Sequence, residues 1–389
     1  KGMLMGLIKK FLFITLIFNL NSIMADERIR NYKDYKLTKT KFKLSEVIEG
    51  LNYPWGLTFI NNEDLLITEK NGRLLRVNIN NKNVTEIKHN IQSIGYHGDS
   101  YQGGLLDVLY HEGYVYFSYS HAQNPNFKNI KKHKYSSTAI ARGKLLEDKI
   151  ENLEILLIGV PKLLVNRHWG SRLIIKGNHL YASFGDRGKG MIAQDPTKHP
   201  GSIIRINING SIPDDNPALK GYTNWLPEIY QIGVRNPQGI ALSPHDDEIY
   251  FSQHGPMGGD NIGKVKYAGN FGWKDIGWGG KEYNWLKIGD SPFKDEYDKP
   301  VIGWVPSMAI GQITFYTGNT FTEWEGDLIG SATKAGLLFR LDYEKKLIVS
   351  EEIILDQEIG RIRDFEIDSK GNIFIIVDDE GSSLWKLSK

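Results

Sequence analysis

His179-Leu180-Tyr181-Ala182-Ser183-Phe184, followed after a glycine-containing insert by Ser202-Ile203-Ile204-Arg205-Ile206, decides how this chain folds. β-Branched and aromatic residues dominate both runs, and alternation with period two marks half-buried strands rather than a helix. The same paired pattern recurs along the chain. Leu65–Glu69 precedes Arg73–Val77, Tyr114–Tyr119 precedes Thr138–Arg142, and Glu248–Ser252 precedes Gly263–Val265. Asp327–Ser331 precedes Leu337–Leu341, and Asn372–Val377 precedes Ser383–Leu387. Strand-pair units recurring at roughly 45–80 residues, with variable inserts and no long amphipathic helix between them, predict an all-β, six-bladed β-propeller. A two-sheet sandwich seldom runs to this length as one domain. A propeller has no internal linker, so residues 30–389 read as a single domain.

Composition narrows the class further. The 389 residues are 40% hydrophobic, which excludes wholesale disorder, and 41 Gly with 11% aromatics suits short strands joined by tight turns. Net charge is +2. Loss of residues 1–25, which hold Lys1, Lys9 and Lys10 and no acid, would leave −1. Such a chain lacks the clustered positive field that nucleic acid or an anionic membrane demands. Lys9-Lys10, the apolar run Phe11–Phe18 and the small Ala25 before Asp26-Glu27 read as a secretory leader cleaved near Ala25. The apolar run is shorter than the roughly 20 residues that span a bilayer, so no stable membrane insertion is expected. Cys is absent, which removes disulfides, thiolate metal sites and a lipid anchor on cysteine. An exported chain without disulfides fits a bacterial periplasm.

Chemistry is concentrated in the inserts. Tyr101–Asp107, Asn166–Arg172, Gly233–Gly239, His254–Asp260 and Gly360–Asp364 carry more polar and glycine residues than connections need. In a propeller such loops converge at one end of the central channel. Arg361 and Arg363 alternate along a strand and project to one face, about 7 Å apart. With Arg235 and Lys334 they would suit a ligand bearing several carboxylates, although each alone could be a surface charge or the partner of an acid such as Asp364. His168, between Arg167 and Trp169, has the ordinary pKa of a general base, although a lone loop histidine is more often merely solvated or packed. The carbonyls of Gly255 and Pro256 would suit a hard cation such as Ca²⁺, or form a plain turn. No nucleotide-binding glycine motif and no G-x-S-x-G nucleophile motif is present.

Read in order, these segments carry a family resemblance. Leu51–Gly56, Gln102–Leu106, His168–Arg172, Arg235–Gly239, His254–Asp260, Gly269–Trp273 and Arg361–Asp364 resemble the quinoprotein sugar dehydrogenases. This group comprises the soluble glucose dehydrogenases and aldose sugar dehydrogenases that use pyrroloquinoline quinone (PQQ), and the short loops here are more similar to the aldose branch. The resemblance implies a six-bladed propeller with the quinone over its channel. It implies His168 as the base that takes the proton of the sugar's anomeric hydroxyl, hydride passing from C1 to the quinone to leave a lactone. Arg235 would polarise the quinone carbonyl beside Asn236. Lys334, Arg361 and Arg363 would hold its carboxylates, and Gln102 would lie at the edge of substrate and cofactor. Gly255 and Pro256 would ligate a Ca²⁺ that also touches the quinone. A separate acceptor would then take the electrons. Asn261, Phe271 and Gln253 depart from the family's usual Glu, Tyr and Glu, and Arg167 stands where the glucose branch has Asp. A propeller that only binds sugar or protein through the same face is the alternative, and a Ca²⁺-dependent lactonase ranks behind both.

Overall fold

The computed structural model describes residues 28–96, 98, 101–122, 135–344 and 347–389. The expected leader at 1–25 lies outside them. Six sheets form the ring, three of four strands and three of five. Each strand pair legible in the sequence becomes the second and third strands of one blade, as in Tyr181 opposite Arg205 and Leu65 opposite Val77. The blades span 54–86, 105–158, 170–232, 237–304 and 310–356. Blade 6 joins three strands of 362–388 to Lys43–Leu51 from the start of the chain, Leu387 lying opposite Leu44.

The six inner strands are Pro54–Phe59, Leu105–His111, Gly170–Lys176, Pro237–Leu242, Ile310–Phe315 and Ile362–Ile367. Neighbouring inner strands touch all the way round, Ile362–Ile367 meeting Pro54–Phe59 to close the ring. Every one shifts register near its start, between Pro54 and Gly56 in blade 1 and at the matching place in the others. A bulge leaves extra backbone groups unpaired and re-aims side chains. Hydroxyls on the second strands accept the freed N–H groups: Thr68 takes that of Gly56, Ser118 that of Asp107 and Ser183 that of Arg172, each at 3.0 Å. The small polar residues near the ends of the predicted strands therefore serve the bulges. Apolar layers pack between blades, as where Leu66 and Leu74 of blade 1 join Leu105, Phe117 and Tyr119 of blade 2.

Arg172, bulged out of blade 3, is fully buried in the channel. Its guanidinium donates to Asp107 Oδ1 of blade 2 at 3.0 Å and Asp364 Oδ2 of blade 6 at 2.7 Å. It also donates to the carbonyls of Gln238 at 2.7 Å and Arg363 at 3.1 Å, and lies 4.3 Å over the Trp55 ring of blade 1. The carboxylates spend their remaining oxygens on backbone, Asp107 Oδ2 accepting from Leu173 N and Asp364 Oδ1 from Phe365 N, while Asp364 Oδ2 also takes the N–H of Leu57. Burial drives the pKa of both carboxyls upward despite Arg172, and Asp364 adds to the rise at Asp107. Glu366, on the same face of the strand as Asp364, is pushed up to about 8 by burial and by these two acids.

Groups with raised carboxyl pKa bind protons more tightly when folded, so their contribution to stability falls as pH rises through the raised range. Arg172→Met leaves the acids without their cation and raises them further. It should cost about 3–5 kcal/mol at pH 8 and distinctly less at pH 5, read by urea denaturation at both pH values. An equal loss at the two would contradict this account of the channel.

Candidate active site

Chain direction sets which end of the ring carries chemistry. Gln102, His168, Asn236 and Arg361 stand at or just before the starts of inner strands, whereas Lys70, Asp186, His254 and Lys334 follow the ends of second strands. Both sets lie at the same end. A cavity of about 410 Å³ opens there, lined by Gln102, Asn236, Lys334, Arg361 and Arg363, all anticipated from sequence. Trp55, Lys70, Trp169, Gln238, His254 and Asp378 complete much of its wall. Four lining cations face one lining carboxylate, Asp378. Arg363 pairs with that carboxylate rather than with Asp364, Lys70 reaches it at 3.4 Å and Arg361 at 3.8 Å. Burial pushes Asp378 up, but Arg363 and Lys70 more than offset it and hold its pKa at about 2.

His254 is the converse case. Burial, and then Arg235 and Arg363 beside it, depress its pKa to about 3, so it is neutral. Its Nε2, the Trp169 indole Nε1 and Arg363 Nε are buried without a hydrogen-bond partner. Buried polar atoms left open in a cavity wall await a ligand or ordered water. Cations, a neutral imidazole and unspent donors fit a planar, polar, carboxylate-bearing group such as PQQ.

His168 sits beside this cavity, its backbone N–H donating to Gln102 Oε1 at 2.9 Å. Its φ of 55° lies in the left-handed region, uncommon for a residue with a Cβ. Nδ1 lies 2.6 Å from Asp186 Oδ1, a partner the sequence reading missed. Asp186 also accepts from Trp273 Nε1 at 2.6 Å and from the N–H groups of Gly188 and Gly190, leaving the carboxylate little freedom to turn. Burial lowers the His168 pKa and Arg235 adds to this, while Asp186 opposes it. Burial works against the Asp186 charge too, yet His168 and Arg235 hold its pKa below the usual range. The available signal was position: Asp186 follows a second strand, as do Lys70 and His254.

Trp273 reaches the site by a detour of the chain. After blade 4's third strand, Gly269-Asn270 runs parallel to Ile229–Ile232 on the outer edge of blade 3, returning the chain to the cavity end. Arg235 lies 5.2 Å over the Trp273 ring and donates to the carbonyls of His254 at 3.2 Å and Gly255 at 3.1 Å. The Gly255 carbonyl thus has one lone pair engaged and one left for another partner. Pro256 is buried in the same turn. Among the described residues no cluster of three or more His, Asp or Glu could hold a metal ion, so a cation here would depend on backbone oxygens. The departures Gln253 and Asn261 form an amide pair, Gln253 Nε2 to Asn261 Oδ1 at 3.1 Å, and Gln253 Oε1 accepts from Arg235 N.

The sequence profile of the glucose/sorbosone dehydrogenases matches residues 51–386, which takes in all six blades. The chain belongs to this family. As a glucose/sorbosone dehydrogenase family member it is 30% identical over 357 residues to the aldose sugar dehydrogenase YliI of Escherichia coli K12, covering 88% of this chain and 92% of that protein. It is 25% identical over 452 residues to quinoprotein glucose dehydrogenase B of Acinetobacter calcoaceticus, covering 94% and 91%. Among solved structures, the apo form of the soluble E. coli aldose sugar dehydrogenase superposes with a TM-score of 0.82 at 27% identity, covering 90% of this chain and 99% of that one. The PQQ-bound aldose sugar dehydrogenase of Streptomyces coelicolor shares the fold, with a TM-score of 0.70 at 20% identity over 90% and 98%. The resemblance read from the motifs therefore holds at the level of family and fold.

In this family member, Asp186→Asn removes the charge that favours the imidazolium. The His168 pKa should fall further below its ordinary value, measured by NMR titration of the imidazole. A rise or no change would remove Asp186 as its electrostatic partner.

Proposed function

We propose that this protein oxidises the anomeric C1 hydroxyl of aldoses to lactones with PQQ as its redox group. The observation that carries the reading is the His168–Asp186 pair standing beside a cavity walled by Lys70, Lys334, Arg361 and Arg363. Asp186 occupies Nδ1, so Nε2 is the nitrogen available to receive the hydroxyl proton. Burial keeps the ring neutral and ready to accept at neutral pH, and the buried carboxylate stabilises the imidazolium that results. Bound PQQ would supply the two-electron acceptor that takes the hydride from C1. Lys334, Arg361 and Arg363 would hold its carboxylates, Arg235 and Asn236 its quinone side, and Gln102 the edge shared with the sugar. Release of Asp378 from Arg363 and Arg361 would free both guanidiniums for those carboxylates. The carbonyls of Gly255 and Pro256 are the proposed Ca²⁺ ligands, consistent with the free lone pair on Gly255. Relatives named aldose sugar dehydrogenase and quinoprotein glucose dehydrogenase support the substrate class and the cofactor.

We further place the catalytic unit at 30–389, since blade 6 needs strands from both ends of that span. Export to the periplasm is supported by the leader-like residues 1–25 and by a chain without Cys. Among the described residues no helix is long and apolar enough to cross a membrane. The electrons would leave through a separate acceptor.

Purified protein supplied with PQQ and Ca²⁺ should bind the quinone, followed by its absorbance, and reduce a dye with one or more of a panel of aldoses. His168→Ala should lower turnover by roughly 10²–10⁴-fold with quinone binding retained. Quinone binding without oxidation of any sugar would favour the binding-only alternative, and absence of both would end the proposal. Arg363→Gln and Arg361→Gln should each weaken quinone binding by about tenfold, the energy of one charge-assisted contact. An unchanged affinity in both would remove these residues from the cofactor site.

A further inference from the structure

Arg187 follows Asp186 directly and has no part in the reaction described above. Its side chain is 2% exposed and lies 3.3 Å from the centre of the Trp169 ring, stacked on its face. The guanidinium spends its donors on backbone. Nε bonds the carbonyl of Arg167 at 3.0 Å, Nη2 that of Val165, and Nη1 that of Ser136 at 3.1 Å. Its own N–H donates to the carbonyl of His168 at 3.3 Å. Ser136 begins a strand of blade 2, whereas Val165, Arg167 and His168 belong to a connection without regular secondary structure.

Burying a cation is costly unless good bonds offset it, and burial here lowers the Arg187 pKa to about 9. An apolar side chain would fill the same volume without that cost. What only a guanidinium offers is a rigid planar fork that engages separate carbonyls while its face stacks on a ring. The loop it grips has a particular need for restraint. A left-handed conformation at a residue bearing a Cβ is strained, and it persists at His168 only if the surroundings impose it. The carbonyls of Val165, Arg167 and His168 and the ring of Trp169 are all fastened to this one residue, which ties the loop to blade 2.

We propose that Arg187 is the positioning residue of the site, a guanidinium staple that fixes the backbone of residues 165–169 so that the His168 ring stays on Asp186 and faces the cavity. The proposal builds on the reading of His168 as the base, but its geometry can be tested apart from turnover.

The test uses Arg187→Met and Arg187→Lys in full-length protein, with the histidine ring labelled and the His168 signals assigned from a His168→Gln spectrum. In the native protein without added cofactor, the imidazole titrates below its ordinary value and the His168 Nδ1 proton donated to Asp186 is protected. In Arg187→Met the ring leaves Asp186 and gains solvent, so its titration departs from the native one and the downfield Nδ1 proton resonance is lost. Arg187→Lys, which keeps a charge but not the fork, falls between, and it carries the test if the Met variant does not fold. With saturating PQQ, kcat should drop about 10–100-fold, as expected for displacement of a catalytic group by about 1 Å, while PQQ affinity changes by less than about fivefold. Unaltered His168 titration and an unaltered Nδ1 proton in the folded variants would overturn the proposal and leave Arg187 a stability residue. Shifted imidazole signals with native turnover would support the positioning role and overturn His168 as the base.

Discussion

The contact between Arg172 and the two carboxylates Asp107 and Asp364 is the constraint on which the ring depends. A propeller channel is lined by inner strands whose bulged backbones point toward one another, and apolar side chains alone would not specify their register. One guanidinium joins blades 2, 3, 4 and 6 by hydrogen bonds and blade 1 by stacking on Trp55. Ionic groups in such a setting give less net stability than their distances suggest, because desolvation opposes the attraction. Their geometric effect is larger. Trp55, Gln238 and Arg363, whose backbone or ring Arg172 holds, all reappear in the wall of the cavity. The floor of the site and the clamp of the ring are one layer.

Charge in that layer is arranged in advance. Asp378 holds Arg363, Arg361 and Lys70 close to one another, so cations that would repel are kept together. His254 sits among them as a neutral ring because burial first, and then the cations around it, disfavour its charged form. Acid and base therefore have distinct stations: cations at the cavity wall, and a deeply buried carboxylate behind His168. A net charge near zero for the chain conceals this separation, since the sum carries no information about where charges stand.

Much of the fold was legible because second and third strands are regular and alternate cleanly. The inner strands were not, since each is broken near its start by a bulge that erases the period-two pattern, as at Gly56 and Arg172. In the site, His168, Arg235, Asn236, Lys334, Arg361 and Arg363 stood out through polar loop motifs, and the structure gathers them at one end. Asp186 escaped because its partner is 18 residues away across a hairpin. Asp378 escaped for a stronger reason: it meets Lys70 from the opposite end of the chain, a pairing no local window contains. The expected acid near Arg363 was its neighbour Asp364, but alternation turns that side chain toward Arg172.

Blade 6 has a consequence for the order of assembly. Its outer strand, Lys43–Leu51, emerges early in synthesis, while its other three strands come from the last residues of the chain. The early strand must wait for partners more than three hundred residues away, a long closure for any β-protein. Arg361, Arg363 and Asp378 arrive with those late strands, so the cavity is incomplete until the final turn of the ring is in place. A truncated or stalled chain would present five blades and no full set of cationic contacts. On the proposed reading, capture of a charged cofactor would then reward only a chain whose two ends have found each other.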